Sequence, residues 1–180
     1  MTISELRTER LRLRQWRDAD VPAWAAMNAD PAVREFFPQV MTYEQSAGSV
    51  AAFREELAER GWGWWAVEEA ATGAFVGFAG LDPVEEELPF GGVEVGWRLA
   101  RAAWGHGYAT EAGRACLDYG FGSLALTEIL AITAVGNDRS RAVMQRLGMT
   151  YDPADDFDDP TVEGPLRRSV LYRIKNPKLT

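Results

Sequence analysis

The stretch that most constrains this 180-residue chain runs from Val93 to Tyr119. Val93-Glu-Val-Gly-Trp-Arg-Leu99 alternates strictly, with Val93, Val95, Trp97 and Leu99 on one face and Glu94, Gly96 and Arg98 on the other. That period predicts a half-buried strand. Glycines follow at 105 and 107, and from about Gly107 a stripe of Tyr108, Ala112, Ala115, Cys116 and Tyr119 predicts an amphipathic helix. A strand that turns through two glycines into a helix leaves backbone N–H groups unobstructed at the positive end of the helix dipole. Such a junction suits a phosphate or pyrophosphate. Three readings of it stay open. A dinucleotide fingerprint wants a third glycine where this chain has Thr110, and a Walker loop wants Gly-Lys-Ser/Thr, which is missing. A plain glycine turn that starts a helix needs neither.

The flanking residues predict a sheet with helices around it. Leu11, Leu13 and Trp16 alternate with polar neighbours as a first strand, and Asp20 with Pro22 reads as the cap of a first helix. Asp30-Pro31 restarts a helical turn through Val33, Phe36 and Phe37. Thr42 and Gln45 form a capping box for a helix that runs to about Arg60 and stops at Gly61. Trp64–Val67 and Phe75–Phe78 flank Ala71-Thr-Gly73 as a hairpin. Ile129–Val135 is apolar on both faces, as a central strand would be. Asn137-Asp138 caps a short helix ended by Gly148, Asp152 to Asp159 reads as a solvated loop, and Ser169–Ile174 closes as a strand. The expectation is one α/β (α+β) domain over residues 1–180, its later helices crossing over between roughly parallel strands.

Composition narrows the partners. Lys and Arg number 19 against 27 Asp and Glu, a formal charge of −8, which argues against a nucleic-acid or membrane surface. No apolar run approaches the roughly 18 residues of a membrane span, and charges occupy the first ten positions where a signal peptide is apolar. A lone Cys116 cannot form an internal disulfide, and with a lone His106 it excludes the common zinc sites. These points predict a cytoplasmic protein with no metal.

Trp104-Gly-His-Gly-Tyr-Ala-Thr-Glu-Ala112 is preceded by Val-Glu-Val-Gly-Trp-Arg-Leu and followed by Asn137-Asp-Arg-Ser140 and Leu147-Gly-Met149. With the opening Thr8-Glu-Arg-Leu-Arg-Leu13 and the closing Val170-Leu-Tyr-Arg-Ile174, this order resembles the GNAT acyltransferases over nearly the whole chain. The closest branch is the RimJ/RimL-like one, which acetylates protein N-termini and some small amines. The resemblance implies a mixed, twisted central sheet with helices on both faces, splayed near its middle strands, with acetyl-CoA in the opening. It places the pyrophosphate on Gly105, His106, Gly107, Tyr108, Ala109 and Thr110 beside Trp104. The pantetheine arm then lies along the backbone of Trp97 to Leu99 and meets Asn137. Where the family often carries Gln or Arg, three residues before the first glycine, this chain has Ala102.

Acetyl transfer to an amine needs the amine neutral, the developing oxyanion stabilised and the leaving thiolate protonated. Free α-amines have pKa near 8 and lysines near 10.4, so a base must take a proton at neutral pH. Glu94 is the candidate base, against the reading of a plain surface glutamate. On that role, Glu94→Gln should slow turnover most at low pH. The Val95 amide is a candidate oxyanion donor. Met144 stands where many relatives carry a tyrosine acid, and the resemblance offers Ser140 instead, against a capping role for it. Asn137 caps its helix on either reading. Trp62, Trp64 and Trp65 read as packing or as an acceptor wall, and the Asp152–Asp159 run as solvation or as a lure for a cationic amine. The expected activity is N-acetylation of an N-terminal peptide or small amine by a monomer or homodimer. The alternatives are an acyl-CoA-binding sensor and an unrelated phosphate- or nucleotide-binding module.

Overall fold

A computed structural model describes residues 3–179. Met1, Thr2 and Thr180 of the expected 1–180 domain lie outside the described residues. The chain runs β1 (Leu6–Arg7), β2 (Leu11–Arg14), α1 (Val21–Asn28), α2 (Tyr43–Arg60), β3 (Trp64–Glu69), β4 (Phe75–Pro83) and β5 (Val93–Leu99). It continues through α3 (Tyr108–Gly122), β6 (Glu128–Ala134), α4 (Asp138–Arg146), β7 (Thr150–Tyr151), β8 (Phe157–Asp158) and β9 (Arg168–Lys175). Nine strands form one mixed sheet in the order β1-β2-β3-β4-β5-β6-β9-β7, with β8 also on β9. No helix among the described residues is long and apolar enough to cross a membrane.

The feature that shapes the site is the β5–β6 junction. These neighbours run parallel and share a single register pair, Glu94 with Leu130, whereas β4 and β5 share seven, from Gly77–Leu99 to Pro83–Val93. The sheet is therefore splayed at its middle, as the family likeness implies. The two faces of β5 follow its alternation. A Cβ on α3 Gly113 would lie 3.4 Å from the Trp97 ring, and one on Gly96 would meet the Trp64 ring at 2.8 Å. Trp97 thus packs on α3, while Gly96 turns toward β3 and the first two helices.

Local signals account for most elements. Thr42 and Gln45 exchange both capping-box bonds at the start of α2, and Gly61 ends that helix in the left-handed region at φ 82°. Asn137 caps α4 by accepting the Ser140 N–H. The helical turn expected from Asp30 is present, with the Val33 and Arg34 N–H groups donating to the Asp30 carbonyl and that of Phe37 to the Arg34 carbonyl. Three expectations need correction. Asp20 stands at the N-cap position of α1, but its side chain does not cap that helix, because its carboxylate is bound by the buried Arg14 and by the Arg17 N–H. α3 and α4 do cross over between parallel strands, β5 to β6 and β6 to β7, but the closing strand β9 returns antiparallel between β6 and β7. The Asp152–Asp159 run is not all solvated loop: Phe157 and Asp158 pair with β9, and Asp155 accepts from Arg173 at 2.9 Å. The two-residue β1 gives no readable period.

Candidate active site

The glycine junction forms the structure expected of an anion cradle. Gly105 and Gly107 both adopt positive φ, 79° and 80°, which turns the chain from a single 3-10 turn at Arg101–Ala103 into α3. The first α3-type bond is Glu111 N–H to the Gly107 carbonyl. The six preceding amides, Gly105 to Thr110, have no acceptor among the described residues. The loop is braced from below by Glu111. Its carboxylate accepts from Thr8 Oγ1 at 2.6 Å, the Arg10 amide at 2.9 Å and Arg10 Nε at 2.7 Å, while Arg10 Nη1 donates to the His106 carbonyl. The opening Thr-Glu-Arg motif thus meets the Ala-Thr-Glu motif across about a hundred residues. His106 itself is exposed and stacks on Tyr108, whose hydroxyl donates to Glu69 at 2.7 Å.

From this cradle a cavity of about 1080 Å³ extends along β5 into the splay. Trp97, Leu99, Trp104, Gly105, Gly107, Tyr108, Ala109, Thr110, Asn137, Ser140 and Glu94 all line it, so the structure brings together every expected site residue except the His106 side chain. Beyond Glu94 the outer edge of β5 has no strand partner, which leaves room for an extended amide chain to pair there. The Leu99 carbonyl already accepts the Trp104 indole N–H at 2.9 Å. A pyrophosphate on the cradle and a pantetheine arm on the open strand edge fit these residues.

At the far end of β5, Glu94 is partly buried in the cavity wall. Burial pushes its carboxyl up to about 8, and the charges of Asp82 and Glu85 push the same way. Asp82 lies directly opposite Glu94 in the β4–β5 register. It is held by Arg60 at 2.8 Å and by the Trp64 indole N–H at 3.2 Å. Asp82, Arg60 and Trp64 therefore set the surroundings of Glu94. They escape sequence reading because only strand pairing brings them there. The tryptophan question divides: Trp64 walls the cavity, whereas Trp65 is wholly buried and donates to the Ser4 carbonyl.

Asn137 accepts the Ser140 N–H at 3.2 Å and donates to Thr133 Oγ1 at 2.9 Å. Ser140 uses only its backbone in this cap, and its hydroxyl has no partner among the described residues while lining the cavity. Met144, one turn on, is buried. Cys116 is fully buried in α3, and burial pushes its thiol far up, so it is no nucleophile.

Residues 10–150 match the family described as Acetyltransferase (GNAT) domain. The chain is 35% identical over 155 residues to the uncharacterized protein YkkB of Bacillus subtilis, a match covering 82% of this chain and 86% of the relative. It is 34% identical over 134 residues to an FsC-acetyl coenzyme A-N(2)-transacetylase of Aspergillus fumigatus, covering 67% of this chain and 56% of that one. Among solved structures, a GNAT-family acetyltransferase from Bacillus anthracis superimposes with a TM-score of 0.81 at 25% identity, covering 96% of this chain and 99% of the other. With the splayed sheet and the amide cradle, these matches show that the chain belongs to the GNAT acetyltransferase family and is an acyltransferase.

Proposed function

We propose that the protein transfers an acetyl group from acetyl-CoA to a primary amine, a protein N-terminus or a small-molecule amine, by direct attack. The observation that carries this reading is one cavity with an amide cradle at one end and Glu94, with its pKa raised to about 8, at the other. A base near 8 is matched to an α-amine of similar pKa, so the proton moves with little driving force wasted. Glu94 takes that proton as nitrogen forms its bond to the acetyl carbon. A β5 amide beyond the Glu94–Leu130 pair, that of Trp97, meets the negative charge growing on the acetyl oxygen. The carbon–sulfur bond breaks, and the leaving sulfur takes a proton from the Ser140 hydroxyl, which regains one from water in the cavity. The burial of Cys116 supports transfer without an acyl-enzyme.

The motifs Thr8–Leu13 and Val170–Ile174 support placement in the RimJ/RimL-like branch. The single unpaired cysteine fits a cytoplasmic setting, and one domain spanning 1–180, working as monomer or homodimer, suffices for the chemistry. The test is release of free thiol from acetyl-CoA across N-terminal peptides, polyamines and amino sugars. Turnover with at least one amine, lost in Glu94→Gln, is the expected result. Tight CoA binding without turnover of any amine would overturn the reading in favour of a sensor.

A further inference from the structure

The polar face of β5 carries three residues in a row: Glu94, Gly96 and Arg98. Glu94 and Arg98 both line the cavity, and their Cα atoms are about 13 Å apart by strand geometry. Gly96 between them has no side chain, and the Trp64 ring covers it. The Arg98 guanidinium sits 4.1 Å from the Phe37 ring centre, 5.3 Å from Phe78 and 5.4 Å from Trp24. Among the described residues its one hydrogen bond is Nη1 to the Asn28 side-chain carbonyl at 3.1 Å, and its buried Nε has no partner.

The same molecule shows how it treats a buried arginine whose role is structural. Arg14 is almost wholly buried and is bound by two carboxylates, Asp20 and Glu68. Arg98 has no carboxylate within ion-pair distance among the described residues. The charge that acts on it is another cation, Arg34, whose guanidinium lies 4.2 Å from the same Phe37 ring. Burial beside Arg34 lowers the Arg98 pKa to about 9, which still leaves it protonated at pH 7. A buried cation without a counter-charge is costly, and aromatic faces offset only part of that cost. The cavity is thus bipolar. Glu85 and Glu94 line one end, with Asp82 opposite Glu94 on β4, and Arg98 lines the other, with Arg34 near it.

We infer that the acceptor is an amine that also carries a carboxylate, with the amine at Glu94, the carboxylate on Arg98 and an apolar segment between them against Trp64 and Phe78. This rests on the amine-acetylation reading above and deepens it by naming the substrate class. An α-amino acid is too short to span the two ends, so the two charges are separated by several bonds, as in ω-amino carboxylates or short peptides. The carboxylate supplies the counter-charge that Arg98 lacks. The acidic net charge therefore does not select a purely cationic acceptor.

The experiment uses matched pairs: ω-amino carboxylates from γ-aminobutyrate to ε-aminocaproate and the corresponding primary amides. Each pair is measured by kcat/KM with acetyl-CoA, and by calorimetric binding to the CoA-loaded protein. Carboxylates should win by roughly 10- to 100-fold, the worth of a charge-assisted bond. Arg98→Gln should erase the preference and Arg98→Lys should keep part of it. If Arg98→Gln does not fold, as judged by CoA affinity and thermal unfolding, the wild-type pairs and Arg98→Lys decide. Amides equal to or better than carboxylates in both measurements overturn the inference while leaving amine acetylation intact. Failure of the acetylation reading looks different: no thiol is released with any amine, while the calorimetric comparison still reports on Arg98.

Discussion

Arg139, in the first turn of α4, places Nη2 2.6 Å from Glu35 Oε2 in the segment after α1. The pair joins two regions 104 residues apart, and the same guanidinium lies 4.5 Å from the Trp104 ring centre. Arg139 lines the cavity, so this bridge crosses one of its walls. Both side chains are more than half exposed, so the bridge adds little to folding, about 0–1 kcal/mol. Its influence falls on ligand capture instead. Glu35→Gln should shift the melting temperature by no more than about 2 °C while raising the KM for acceptor or acetyl-CoA several-fold. Raising salt should do the same to the wild type and little to the variant. Salt-titrated kinetics of both proteins check this.

Glu94 sets the pH behaviour. An ordinary carboxylate would stay ionised down to about pH 4, and Glu94→Gln would then matter most at low pH, as sequence reading expects. With a pKa near 8, wild-type Glu94 is protonated at low pH and has already lost its base function there. The deficit of Glu94→Gln should therefore be largest above pH 8, about 100-fold or more, and shrink toward pH 6. A Glu94→Gln deficit that stays constant from pH 6 to pH 9 would remove Glu94 from the mechanism.

Stability follows the same proton. The folded state holds the Glu94 proton more tightly than the unfolded chain, so its contribution is complete below the unfolded pKa of about 4.5 and is lost as pH rises through about 8. Glu94→Gln lacks this loss. Its melting temperature should gain on the wild type between pH 5 and pH 9, by of the order of 1–3 kcal/mol in stability. A constant difference across that range would mean that the carboxyl titrates normally.

Asn137 and Ser140 separate cleanly by mutation. Asn137→Ala removes the side-chain cap of α4 and the bond to Thr133, and should cost about 1 kcal/mol or more. Ser140→Ala leaves the cap in place because only its backbone takes part, so stability and CoA affinity should hold while turnover falls. Loss of CoA affinity in Ser140→Ala with unchanged turnover would demote the hydroxyl to a binding group.

Glu111 tests the brace beneath the cradle. Glu111→Ala frees Thr8 and Arg10 together, and Arg10 also fixes the His106 carbonyl. CoA affinity should fall at least about tenfold with a stability loss of roughly 1–3 kcal/mol, read by calorimetry and by thermal unfolding. Unchanged affinity would show that the two glycines hold the loop unaided.

The parts of the site that are legible in the sequence are those encoded by neighbours along the chain. The glycine junction, the alternation of β5, the Thr42 box and the Asn137 cap each rest on a few adjacent residues, and the structure keeps them. Asp20 stands at the N-cap of α1 but gives that helix no side-chain bond, because Arg14, six residues earlier, holds its carboxylate. The Asp82–Glu94 pair follows from strand register, and the isolation of Arg98 follows from what does not reach it across the fold. A single chain read in order carries neither kind of information.

The lone β5–β6 register pair has a mechanical consequence. Hydrogen bonding between strands β1–β5 and strands β6–β9 passes through one point, so the two halves can hinge about it, with α3 packed across their junction. A donor that lays its amides along β5 acts as a splint, and cohesion between the halves then depends on its concentration. Saturating donor at about 100 times its Kd would add about 2.7 kcal/mol. The melting curve of the protein becomes a gauge of donor supply.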